Sequence, residues 1–286
     1  MAARKTPRVP QRALAAALER RRDAAGLSRE DVAARLEWSE TKVWRIETAR
    51  VAVSPGDIRE LARLYGIGEE DTEAMVALAR EAKRPGWWKG MAQVLPQGFS
   101  VHLELESTST VIRSYDAQFV PGLWQTADYA RAMFRPWSAA RTPEQVERQV
   151  QVRMRRQEIL YRSDPPPPEM WVVLDEAVIR RVVGGRDVML GQLERLREVP
   201  DAPGGTFQIL PFSAGAHMAN YGSFALFYPR DPAFPVTASV DRPAGTLIED
   251  EPGDIQRYML MFNHLQAAAL SPAQSRVLID DAINLL

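Results

Sequence analysis

Residues Gly26–Arg50 read GLSREDVAARLEWSETKVWRIETAR, and this stretch divides into two short amphipathic helices. Ser28 is an N-cap with Asp31 three residues on, and Val32, Ala33 and Leu36 then repeat at helical spacing. The first helix is therefore expected at about 29–36. Glu37 and Trp38 form a turn, Ser39 supplies a second N-cap, and Val43 and Ile46 continue an apolar face up to a break at Thr48 and Ala49. The second helix is expected at about 40–47.

The apolar positions Val32, Ala33, Leu36, Trp38, Val43 and Ile46 form one set. Ala33 is small where the helices would cross and Trp38 plugs the turn, so the pair is predicted to pack at a steep angle, as a helix-turn-helix. That packing leaves Glu40, Thr41, Lys42, Trp44 and Arg45 on the outer side of the second helix, free to enter a DNA major groove about 12 Å wide. Periodicity alone is equally compatible with a helical core that carries an ordinary polar face.

The run L-S-x-x-x-V-A-x-x-L-x-W-S-x-x-x-V-x-x-I-E, Leu27 to Glu47, resembles the Cro/phage-repressor (Xre-type) DNA-binding domain. The resemblance implies that Arg29 takes the place of a phosphate-contacting Gln. It puts Glu40, Thr41 and Arg45 on base-reading positions and Arg50 on a backbone-contacting basic position. It also implies that Arg22 and Glu47 form a charge pair tying the first helix of the domain to the recognition helix. The expected DNA-binding set is Arg29, Ser39, Glu40, Thr41, Lys42, Trp44, Arg45 and Arg50. The sequence departs from the family at Glu37, where Gly is common, and a non-Gly residue at positive φ costs about 1 kcal/mol.

Composition adds the setting. The chain has 286 residues, 45% hydrophobic and 26% charged, which is room for two globular domains. Residues 1–65 carry 14 Lys+Arg against 9 Asp+Glu, net +5, so the remainder carries net −6 of the overall −1. A basic head on an acidic body fits nucleic-acid binding confined to the N-terminal part. The absence of cysteine excludes disulfides and thiolate metal sites and fits a cytoplasmic protein. No run of 18 apolar residues occurs, so no membrane partner is expected.

In chain order, residues 1–10 read as a disordered basic arm, for which a solvated tail is a better reading than a minor-groove contact. Residues 11–84 read as a five-helix DNA-binding domain. Its first helix runs from Gln11 to Ala25 and ends at Gly26; its fourth opens on Ser54-Pro55 and closes at Gly66; its fifth spans Glu69 to Lys83. Residues 85–98 form a Trp-rich junction, in which Trp87 and Trp88 read as a linker anchor more readily than as a base-stacking platform.

Residues 99–286 read as an α+β domain with a largely antiparallel sheet. Strands are expected at Val111–Tyr115, Trp171–Leu174, Thr206–Leu210, Ser223–Tyr228, Val236–Val240 and Thr246–Ile248, and closing helices at 254–269 and 272–284. Within a predicted helix over 143–162, Arg148, Arg153, Arg155, Arg156 and Arg162 are placed on the outside.

The second domain also carries a resemblance, through Trp87-Trp88, VPGL at 120–123, LDEA at 174–177 and LPFSAGAH at 210–217. It is similar to the C-terminal domain of an actinomycete group of Xre-type regulators described as antitoxin-like and often encoded beside a small partner protein. The similarity spans almost all of residues 10–279, with a departure in the Gly-rich stretch Asp201–Gly205.

Signs of chemistry are sparse. His102, His217 and His264 are far apart and none has a ligand at metal-binding spacing. Asp175 and Glu176 after a strand read as helix capping before acid/base chemistry. Ser213, His217 and Asp175 lack a nucleophile-elbow motif, and no phosphate-binding glycine motif occurs. An effector pocket, if the domain has one, is expected at Pro211–His217 with Tyr221 and Phe224.

The sequence thus predicts a transcriptional regulator, not an enzyme, with no cofactor or metal. It is expected to be a homodimer on an inverted repeat in double-stranded DNA. Its C-terminal domain would serve dimerisation, partner binding or effector sensing. The alternative is an antitoxin-like protein whose main act is to neutralise a small partner encoded nearby.

Overall fold

The computed structural model describes residues 9–81, 86–135, 142–199, 205–219, 221–230, 234–243 and 245–286. Two compact units part between Trp87 and Trp88. The basic arm expected over residues 1–10 lies outside the described residues, except that helix already covers positions 9 and 10.

The first unit consists of α1 (Val9–Ala24), α2 (Arg29–Leu36), α3 (Glu40–Glu47), α4 (Pro55–Tyr65) and α5 (Glu69–Glu81). Local chemistry sets these boundaries. Ser28 and Asp31 form a reciprocal capping box on α2, Ser54 and Asp57 form another on α4 behind Pro55, and the Ser39 hydroxyl accepts from the Lys42 N–H at the start of α3. Gly26 and Gly66 turn the chain out of α1 and α4 at positive φ. Glu37 does the same for α2 at φ 55° without being glycine, as its place in the turn requires. Leu14, Leu18, Val32, Val43, Ile46, Ile58, Leu61 and Val76 meet in one core, onto which Leu36 and Trp38 pack half-buried.

The second unit is built on a six-stranded sheet of order β3-β2-β1-β4-β5-β6. The strands are β1 (Ser109–Asp116), β2 (Glu169–Asp175), β3 (Gly205–Leu210), β4 (Phe224–Pro229), β5 (Thr237–Arg242) and β6 (Gly245–Glu249). The expectation of a largely antiparallel sheet needs correction, because β1, β2 and β3 run parallel and only β1, β4, β5 and β6 pair antiparallel. Helices provide the crossovers that parallel neighbours need. α7 (Ala127–Phe134) and α8 (Pro143–Arg156) lie between β1 and β2, and α9 (Glu176–Arg180) and α10 (Arg186–Glu198) lie between β2 and β3. The apolar run Met170–Leu174 is the sequence signature of a strand covered on both faces.

Alternation along each strand divides the sheet into two faces. Tyr115, Val173, Leu226 and Ala238 pack with Ile255, Phe262 and Leu265 of α11 (Pro252–Ala268). The residues of opposite parity, such as Ser114, Asp116, Phe227 and Ser239, look toward α6 (Phe99–Thr108) and α8. The outer strand β3 is not left bare: the Ile209 N–H donates to Ser275 Oγ at 2.8 Å and its carbonyl accepts from Leu270 at 2.9 Å, at the entrance to α12 (Pro272–Asn284).

The junction 85–98 contains a 3₁₀ segment, Trp87–Val94, and then a turn in which Gly98 has φ 79°. Thr246 of β6 donates its N–H to the Gln97 carbonyl at 2.8 Å. A Cβ on Gly98 would lie 2.2 Å from the Thr246 carbonyl oxygen, so only glycine allows this approach. Gly98→Ala is expected to lower the stability of the second unit by about 2–3 kcal/mol, combining a clash with backbone and an unfavourable φ. Denaturant unfolding of the full chain, followed by a probe in the second unit, checks this.

Candidate nucleic-acid interface

In α3 the buried and exposed positions separate cleanly. Val43, Ile46 and Glu47 are buried, whereas Glu40, Thr41, Arg45 and Thr48 are exposed and Trp44 is half-buried. At 100° per residue, Glu40, Thr41, Trp44, Arg45 and Thr48 fall within an arc of about 140°. This arc carries Glu40, Thr41, Trp44 and Arg45 of the outward set that the sequence predicts for groove entry; Thr48 joins it, and half-buried Lys42 falls outside it.

Below that face, α3 is held by ionic contacts. Glu47 carries a carboxylate that is 1% exposed, and it accepts from Arg22 Nε at 2.6 Å and Arg22 Nη2 at 3.3 Å. It also accepts from Arg29 Nε at 2.6 Å. The Arg22–Glu47 pair implied by the family resemblance is present, and Arg29 joins it. The second nitrogen of Arg29 reaches Glu19 at 2.8 Å, so in the free protein its guanidinium is held by two carboxylates. Arg29 thus ties α1, α2 and α3 together.

Lys42 is also engaged. Its ammonium donates to Asp57 Oδ1 at 2.7 Å and sits 3.3 Å from the centroid of the Trp38 ring. Burial works against the Asp57 charge, but the bonds from Lys42 and Ser54 win and hold its carboxyl below the usual range. Asp57 therefore caps α4 and anchors α3 at once, a double role visible only when the two helices are seen together. The far end of α3 closes on Ala49, at φ 54°, whose carbonyl accepts from Gln11 Nε2 at 2.8 Å. Arg50 follows with its guanidinium 4.4 Å from the Trp44 ring centroid. That stacking places a cation beside the exposed arc.

Of the expected set, Glu40, Thr41, Trp44, Arg45 and Arg50 lie on or beside one outward surface. Ser39 caps its N-terminal edge, and Arg29 and Lys42 brace it from behind. Sequence reasoning missed Gln11 and Asp57; Asp57 was signalled by Ser54-Pro55 with an acid three residues after the serine.

Elsewhere the sequence-predicted candidates do not assemble a reactive centre. Asp175 accepts from the Ala177 N–H at 2.9 Å as the cap of α9 and from Tyr115 Oη at 3.1 Å. His217 Nε2 lies 3.5 Å from that same hydroxyl, and among the described residues Ser213 bonds to neither. Phe212 in the proposed effector loop is 60% exposed; the large cavity of the second unit lies elsewhere and takes only Tyr221 from that expected group. The arginines of α8 also need correction: Arg156 is 5% exposed and pairs with buried Glu106, because the polar parity of β1 and β5 faces this helix. No described helix is long and apolar enough to cross a membrane.

Replacing Glu47 tests the bracing. Glu47→Gln keeps the shape but removes the carboxylate that Arg22 and Arg29 share and leaves buried Arg22 with Asp23, at 2.6 Å, as its near carboxylate, and a loss of about 3 kcal/mol is expected in the first unit. Amide hydrogen exchange of the α3 segment in the full chain reads it.

Comparison with known families follows the same division. Residues 13–75 match the family model described as "Helix-turn-helix domain". No curated protein and no solved structure matches the chain. Residues 99–281, well over half of the chain, match the model described as "Domain of unknown function (DUF5753)". Preceded by its helix-turn-helix domain, the chain belongs to the DUF5753 family.

Proposed function

We propose that this protein is a sequence-specific DNA-binding transcriptional regulator of Xre type that works in the cytoplasm as a homodimer. The observation that carries the reading is the outward arc of α3, where Glu40, Thr41 and Arg45 are exposed while everything behind them is clamped. A recognition helix needs this combination, because base contacts discriminate only when their backbone is held still. The charge division between basic residues 1–65 and the acidic remainder supports the same reading, since a net −6 body is repelled from phosphate.

Roles within the arc follow from chemistry. Arg45 has the reach and fork geometry for a bidentate bond to guanine O6 and N7. Arg50, stacked on Trp44, is suited to a phosphate at the groove edge. One helix-turn-helix reads about half a site, so the second domain is assigned dimerisation, partner binding or effector sensing, with two recognition helices about 34 Å apart on an inverted repeat.

Arg45→Ala is expected to erase about 1–3 kcal/mol of preference for the operator over a scrambled duplex. Arg50→Ala should weaken both duplexes alike and lower the salt slope by about one contact. Operator selection from random duplexes, followed by titration of both variants at several salt concentrations, measures this; equal loss on both duplexes for Arg45→Ala refutes its base-reading role. Footprinting of the full chain should protect two half-sites one helical turn apart.

A further inference from the structure

The second unit contains a cavity of about 570 Å³, open to solvent and bounded by the turn before α6, the 119–125 segment, α7, α8 and the β5–β6 end of the sheet. That volume falls in the range of small-molecule sites. Its apolar walls include Phe99, Phe119, Met133, Phe134 and Val152. A smaller cavity of about 110 Å³ adjoins it and shares Asp116, Gly122, Arg153 and Arg156, so the floor of the large one is polar.

The two arginines of that floor differ. Arg156 donates to both oxygens of Glu106, at 2.9 and 2.5 Å, and His102 completes the group with Nε2 3.1 Å from Glu106 and Nδ1 2.9 Å from Ser239 Oγ. With its charge met, Glu106 stays ionised: burial opposes this, but Arg156 and His102 hold its carboxyl down at about 2. Arg153, one helical turn away, has no carboxylate within 4 Å among the described residues; its guanidinium lies 5.3 Å from the Phe134 ring centroid. Burial and the neighbouring Arg156 work against its charge and outweigh the opposing fields of Glu106, Asp241 and Asp116. Both guanidiniums come within 2.9 Å of the point where Gly122 would carry a Cβ, so the bare glycine gives them room.

A second residue of the cavity wall carries an unsatisfied group. Gln125 is 2% exposed, and its Nε2 is fixed by a 2.7 Å bond to the Val120 carbonyl. Gln125 lines the cavity, and its Oε1 is buried and without a partner among the described residues. A buried acceptor left unmade costs about 1–3 kcal/mol, which a ligand's N–H or O–H would recover. Asp116 lines the floor as well, with one oxygen taking the Ser114 hydroxyl at 2.8 Å. Burial and the nearby Asp241 raise its carboxyl to about 7 against that bond, so near neutral pH it can accept or donate.

We infer that this cavity binds a small carboxylic acid that carries an amide or amine N–H next to an aromatic or branched apolar body. The carboxylate meets Arg153, the N–H meets Gln125 Oε1, and the apolar body lies among Phe99, Phe134 and Val152. The ligand class is that of an amino-acid derivative. The site is made by the second unit alone, so it stands or fails independently of DNA binding by the first.

The experiment is calorimetric titration of the full-length protein, without DNA, with N-acetyl-L-phenylalanine. Two comparison probes each lack one feature: N-acetyl-L-phenylalaninamide has no carboxylate, and 3-phenylpropanoate has no N–H. The acid is expected to bind saturably with Kd at or below about 1 mM and each comparison probe at least about tenfold more weakly. Arg153→Gln should abolish the preference for acid over amide, and Arg153→Lys should retain part of it. Gln125→Leu should abolish the preference for the acid over 3-phenylpropanoate while keeping its preference over the amide. Absence of saturable binding, equal affinity for the three probes, or unchanged discrimination in a folded Arg153→Gln variant overturns the inference.

Discussion

The first unit depends on one buried carboxylate. Glu47 sits at the end of the recognition helix, and taking its charge out of water is unfavourable by several kcal/mol unless it is met in full. Arg22 from α1 and Arg29 from α2 both supply that charge, which makes the angle between the three helices an electrostatic requirement as well as a packing preference. Apolar contacts such as Val43 against Ile46 and Leu18 tolerate small rotations; a bond of 2.6 Å to a planar guanidinium does not. The outward arc of α3 gains its fixed direction from this inward bond.

The same kind of chemistry recurs in the second unit, where Glu106 meets Arg156 and His102 behind the sheet. The result differs because of what stands beside it. Glu47 has both neighbouring arginines turned inward and leaves no cation over, whereas the second site satisfies Arg156 and leaves Arg153 facing open space. One arrangement is a brace, and the other is a brace with a remainder.

Legibility in the sequence tracked the range of the interaction. Helices at 29–36 and 40–47 were readable because a serine cap and its helical spacing are local, and the structure places both at those bounds; the expected 272–284 helix also has its bounds, with a Ser271–Gln274 capping box that its sequence reading had not used. The six strands were found to within two residues, because β-branched and aromatic runs between turn residues are local as well. Their directions were not, since parallel pairing of β1 with β2 depends on what α7 and α8 cover, and Val111 and Glu169 are matched only by register across both helices. The outward face of α3 followed from periodicity, but the capture of Arg29 and Lys42 did not, because Glu47 and Asp57 lie 18 and 15 residues away. Nothing local distinguishes Arg153 or Arg156 from the exposed Arg148 and Arg155 of the same helix; the difference comes from Glu106, 50 residues earlier, and from the missing side chain of Gly122.

The contact between Gln97 and Thr246, with His102 on Ser239 137 residues away, has a consequence for how the protein comes into being. The ties of the first unit close loops of 10 to 50 residues, which form early and quickly. The cavity floor instead waits for β5 and β6, near the end of synthesis. At 5–20 residues per second, roughly ten to thirty seconds separate the completion of α5 from the arrival of β6 at the ribosome exit. During that interval the nascent chain carries a finished helix-turn-helix and an unfinished second unit, so the two activities assigned to them mature at different times.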